Sequence, residues 1–125
     1  MIDEIWTTLE EFGISDEAAK ENLSFYDTLE EAVKEADLIQ ENVPEQEALK
    51  KKVLVQVDAA AKPTAIIASS TSGYMPSVLQ EDCAHHPERV IVAHPFNPVY
   101  LIPLVEIAGG KQTERSYMEK AEKNV

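Results

Sequence analysis

Residues 89–110 read RVIVAHPFNPVYLIPLVEIAGG. Val90–Ala93 is wholly apolar, the pattern of a strand covered on both faces. His94 stands at its end, directly before Pro95, and Pro98 and Pro103 follow. Proline removes a backbone donor and interrupts sheets, so this segment predicts a rigid return loop. PLVEIA then resumes as a second strand with a single charge, Glu106, in its middle. A carboxylate buried among Leu104, Val105 and Ile107 needs a partner, because an unpaired buried charge is costly. His94, twelve residues earlier, suits that role. A carboxylate bonded to one ring nitrogen fixes the tautomer and raises the basicity of the other. The alternative is that Glu106 faces solvent on an edge strand, as the two-residue alternation of strands allows.

Working outward, strands and helices alternate. Ile2, Ile5, Trp6, Leu9 and Phe12 recur at helical spacing, and Gly13 can end that helix. A short helix is expected at Asp16–Glu21 behind Ser15, and NLSFYD reads as a strand. Asp27 or Thr28 caps a short helix with Leu29, Ala32, Val33 and Ala36 inward. LIQENV is a strand closed by Pro44, which suits the first turn of a helix reaching about Ala61. TAIIASS is another covered strand, MPSVLQEDCA a short helix, and TERSYMEKAEKNV begins a last one. The whole predicts an α/β fold: a partial Rossmann-like domain with a mostly parallel sheet and helices on both faces.

The chain has 125 residues, enough for one modest domain, with 44% hydrophobic and 27% charged residues. Its formal charge of −12 argues against nucleic acid and anionic membranes as partners. Much of that acid lies between Asp3 and Asp37 and reads as solvated helix surface. The amphipathic, acidic start is unlike a secretory signal, no apolar run is long enough to span a membrane, and one cysteine, Cys83, cannot form an internal disulfide. A cytoplasmic protein is expected.

In open α/β sheets ligands sit beyond the carboxyl ends of the strands. Gln40–Pro44, Ser69–Gly73 and His94–Pro98 therefore form the candidate site. Each cluster alone is ordinary turn chemistry. Together, Ser72, His94 and Glu106 suit a hydrolytic triad by residue type, but STSGY lacks the first glycine of a nucleophile elbow. A metal site built from Cys83, His85, His86 and His94 has no zinc spacing.

HPFNPVYLIPLVEIAGG, with IIASSTSG and ADLIQENVPE upstream, resembles the 3-hydroxyacyl-CoA dehydrogenase superfamily. With HHPERV and SSTSG, it is most similar to the L-carnitine 3-dehydrogenase branch. The resemblance covers nearly the whole chain and its motifs stand in the family's order. It implies a dehydrogenase using NAD, with His94 as catalytic base, Glu106 paired to it, and Ser72 bonding the substrate oxygen. Asn97 then helps hold cofactor and substrate, while Asn42, Glu45, Lys50 and Ser70 fall on nicotinamide-side contacts. Ser70 departs from an asparagine common in the acyl-CoA members. The substrate is a small molecule: carnitine, a 3-hydroxyacyl-CoA, or a sugar acid such as gulonate. An acidic chain suits polyanionic coenzyme A poorly, whereas aromatic rings such as Tyr74 and Tyr100 can cradle a quaternary ammonium.

The departures are large. The chain has four glycines and no G-x-G-x-x-G, the turn that seats pyrophosphate at a helix N-terminus. The family's first βαβ unit and its helical C-terminal domain, which supplies dimer contacts, have no counterpart here. The expectation is therefore an internal fragment, inactive alone, of a homodimeric parent enzyme. LSFYD should then lack its sheet neighbour, either sliding in beside LIQENV or leaving that edge to pair with a second chain.

Overall fold

A computed structural model describes residues 1–124. Four strands form one sheet in the order β1 (Leu38–Glu41), β2 (Ile66–Ser69), β3 (Val90–Pro95), β4 (Val105–Gly109). The first two pairings are parallel and the last antiparallel. Each parallel step is bridged by a helix, as a crossover requires. These are α3 (Glu47–Ala60) and the short α4 (Pro76–Leu79). α1 (Ile2–Phe12) and α2 (Leu29–Val33) precede β1, and α5 (Arg115–Asn124) follows β4.

Side-chain alternation sorts the sheet into two faces. Val90 and Val92 join Ile67, Leu54, Val57 and Leu79 under α3 and α4. Ile91 and Ala93 join Ile66, Ala68 and Ala121 under α5. Helices thus cover both faces, and β2 and the apolar run of β3 are buried throughout, as continuous apolar strands demand. Cys83 lies in the first core, where burial pushes its thiol up to about 12. Alkylation of the native protein at pH 8 should therefore run roughly a thousandfold slower than for a free thiol, and urea should abolish the protection. Rapid labelling without denaturant would contradict the packing around α4.

Three expectations near the N-terminus fail. Leu23–Asp27 forms no strand, and Phe25 is 88% exposed. Its apolar alternation is sound, but a strand exists only against a hydrogen-bonding neighbour, and β1 is not paired with it. Residues 16–21 give a turn and one 3₁₀ turn at Lys20–Asn22, where Ser15 Oγ accepts from Glu17 N. Pro44 stands outside α3, which starts at Glu47 behind Gln46, and it sits in a turn where Gln46 N donates to Pro44 O at 2.7 Å. Thr28 caps α2 as expected, its hydroxyl accepting from Glu31 N.

Candidate active site

Beside the carboxyl ends of β2 and β3 lies an open cleft of about 330 Å³. Ser72, Tyr74, His94 and Glu106 line it, with Thr71, Pro76, Val92 and Ala108 among its walls. His94 reaches it because β3 alternates: Val92 and His94 share the face opposite Ile91 and Ala93. Antiparallel pairing then places Glu106 directly opposite His94. Opposed residues carry their side chains to the same face, so both enter the cleft. The prolines do deliver the return loop, and Phe96 N donates to Leu104 O at 3.1 Å to start it. The His94 ring meets Phe96 edge-on, with centroids 5.5 Å apart.

Glu106 is not buried, however. β4 is the sheet's edge, and the carboxylate stands exposed in the cleft mouth. Among the described residues no ion pair or hydrogen bond joins it to His94. The two are cross-strand neighbours in one cleft, and Glu106 is the one formally charged side chain among the described residues lining it.

The loops after β1 and β2 are laced together. Gln40 Nε2 donates to Ser70 Oγ at 2.7 Å and to Ala93 O at 2.8 Å, tying β1 to the backbone beside His94. Ser70 Oγ donates to Asn42 Oδ1 at 2.5 Å. Glu45 accepts from Thr71 Oγ1 at 2.6 Å and from Ser72 N at 3.2 Å. The Thr71 hydroxyl bond, with help from the Ser72 amide, holds the Glu45 carboxyl below its ordinary range. That contact therefore contributes above the ordinary glutamate range and is lost only as pH falls through the lowered value.

Of the residues picked from sequence, the structure gathers Ser72, His94 and Glu106 in the cleft, whereas Asn42, Glu45 and Ser70 lie in the laced loops after β1 and β2, outside its lining. Asn97 is exposed on the return loop, outside the cleft lining. Lys50 is buried, donating to Glu41 at 3.0 Å and to Val43 O at 3.0 Å. Glu41 and Thr71 fell within the strand-end clusters but were given no role from sequence. Glu41 could have been suspected, since it ends an apolar strand nine residues before a lysine on the next helix.

This is a dinucleotide-fold α/β domain with a polar cleft at its strand ends, the arrangement found in dehydrogenases. The family profile described as "3-hydroxyacyl-CoA dehydrogenase, NAD binding domain" matches residues 4–125, and the chain belongs to that family. NAD is the cofactor the family binds; of the strand-end polar groups, Asn42 is exposed, while the Ser70 hydroxyl is half-buried and already bonded to Gln40 and Asn42. An L-carnitine dehydrogenase of Bacillus cereus is 62% identical over 112 residues, 90% of this chain and 34% of that protein. One from Staphylococcus epidermidis is 56% identical over 117 residues, covering 94% and 36%. The chain thus spans about a third of the length of these relatives. Among solved structures, an NAD+-dependent pyridine-carboxylic acid 5-dehydrogenase superposes with TM-score 0.88 at 32% identity, covering 98% of this chain and 40% of that one. A (S)-3-hydroxybutyryl-CoA dehydrogenase from Ralstonia eutropha gives 0.84 at 26%, covering 98% and 44%.

Proposed function

We propose that the chain forms the catalytic cleft of an NAD-dependent dehydrogenase that oxidises the 3-hydroxyl of L-carnitine. The observation that carries the chemistry is the convergence of Ser72, His94 and Glu106 on one cleft at the strand ends. Ser72, which lines the cleft and whose side chain also reaches the Glu45 carboxylate, orients the substrate oxygen through its hydroxyl. His94 takes the hydroxyl proton on a ring nitrogen. Glu106, opposite it, stabilises the imidazolium through the field of the cleft. Bound NAD+ supplies the hydride acceptor. Asn42, Glu45, Ser70 and Asn97 form its nicotinamide-side rim, with Lys50 beneath them.

The cleft chemistry favours carnitine over an acyl-CoA. Among the described residues no lysine or arginine lines it, whereas Glu106 and the Tyr74 ring suit a quaternary ammonium. The relatives named L-carnitine dehydrogenase, 46% to 62% identical, support the same choice. The activity belongs to a longer protein, homodimeric by family resemblance, and the chain alone is expected to turn nothing over.

The test is a chimera. The matching segment of the Bacillus cereus relative is replaced by this chain, and NADH formation is followed with L-carnitine, (S)-3-hydroxybutyryl-CoA and L-gulonate. Carnitine should be the best substrate by kcat/KM. A soluble, folded chimera that prefers the CoA thioester would overturn the substrate reading, and one inert with all three would overturn the activity.

A further inference from the structure

Glu41 and Lys50 are the deepest charges near the cleft, 4% and 2% exposed. Glu41 ends β1 and Lys50 sits in the first turn of α3. Lys50 Nζ donates to Glu41 Oε1 at 3.0 Å, to Oε2 at 3.3 Å and to Val43 O at 3.0 Å. An ammonium has three protons, so it has none left for an external ligand in this arrangement. Glu41 is equally engaged: Val43 N donates to its Oε1 at 2.6 Å, and Ser69 Oγ donates to its Oε2.

The pair therefore grips both loops that border the cleft. Through Val43 it shapes the turn that carries Glu45, whose Oε1 is 3.8 Å from Lys50 Nζ. Through Ser69, whose Oγ accepts from Thr71 N at 3.3 Å, it shapes the turn that carries Ser72. The two turns then lock together. Thr71 Oγ1 donates to Glu45 and accepts from Gly73 N at 3.3 Å and Tyr74 N at 3.1 Å, while Ser72 N donates to Glu45. The polar groups around Ser72 are thus tied up in the two turns, and its own side chain also reaches the Glu45 carboxylate.

We infer that Glu41 and Lys50 are positioning residues: the buried pair sets the two strand-end turns that place Ser72 in the cleft lining, with Lys50 acting through Glu41. The role assigned to Ser72 rests on the proposed function; the mechanical link does not. A buried ion pair is a poor source of net stability, since apolar residues of similar volume do as well. Fixing geometry is the attested use of such pairs.

Hydrogen exchange on the 125-residue chain tests the link without any activity. Lys50→Met should speed exchange at the amides of Val43, Ser72 and Tyr74 by about tenfold or more, with Ile66–Ala68 and Val90–Ala93 unchanged. Acceleration everywhere would make the pair a stability element only, and no acceleration would deny the link; either result overturns the inference. Should Lys50→Met fail to fold, Glu41→Gln keeps the shape, removes the charge, and must give the same local pattern. In the chimera, Lys50→Met should lower kcat at saturating NAD+ about tenfold while leaving KM for NAD+ within about twofold. A raised KM for NAD+ with kcat intact would make Lys50 a cofactor contact. An inactive unmutated chimera would count against the proposed function and leave the exchange result standing.

Discussion

Asp58→Ala should destabilise the chain by about 3–5 kcal/mol, the largest effect expected of a single change outside the apolar core. Asp58 and Arg89 have side chains that are 1% and 0% exposed, and Arg89 Nη2 donates to Asp58 Oδ1 at 3.1 Å. The same carboxylate accepts from His85 N at 2.8 Å and His86 N at 3.0 Å. Arg89 also donates to Asp58 O at 2.8 Å and to Lys62 O, capping the C-terminal end of α3, whose last carbonyls have no helical partner. One pair thus fixes the end of α3, the turn before β3 and the entry into the sheet. Removing Asp58 strands a guanidinium in the core and leaves two backbone amides unpaired. Thermal melting followed by circular dichroism should show a loss of roughly 12–20 °C. Trp6 fluorescence would be a poor probe, because α1 contributes no buried residue. The double change Asp58→Leu with Arg89→Met should cost less than the two single changes combined, since no charge is then left alone. A single-mutant loss below about 1 kcal/mol would mean water reaches the pair.

That pair also shows where sequence reading ends. Asp58 and Arg89 are 31 residues apart, in a helix and before a strand, and nothing local links them. The four strands were legible because each is an apolar run bounded by prolines, polar turns or glycines, as Ile66–Ala68 and Val90–Ala93 illustrate. Leu23–Asp27 carries the same local signal and forms no strand, because pairing depends on a neighbour that the segment's own pattern cannot reveal. Ser72 and His94 could be picked out because strand ends collect ligand chemistry, and Glu106 because it is a lone charge in an apolar run. The burial of Glu106 could not be judged correctly, since the reading PLVEI is equally that of a covered strand and of an edge strand whose outer positions are wet. Lys50 fell on a nicotinamide-side contact through the family resemblance alone. Its burial depends on Glu41 being turned inward at the end of β1.

His94→Ala in the chimera should lower kcat for carnitine oxidation by two or more decades, with KM for NAD+ nearly unchanged. The hydroxyl proton has to leave as hydride departs, and general base catalysis of that kind contributes about 10²–10⁴ in rate. No other described side chain lining the cleft combines a basic nitrogen with a position opposite Glu106. Glu106→Gln preserves shape and removes the charge, so it should cost less than His94→Ala while acting on the same step. The two changes should then be strongly non-additive, the double variant being little slower than His94→Ala alone, because an absent imidazolium cannot be stabilised. Additive losses would show that Glu106 serves the substrate's cationic end independently of His94. That result would fit its exposed place at the cleft mouth and the absence, among the described residues, of any bond between the two groups. A rise in KM for carnitine at unchanged kcat in His94→Ala would make the histidine a binding residue, and the base would then have to be sought outside this chain.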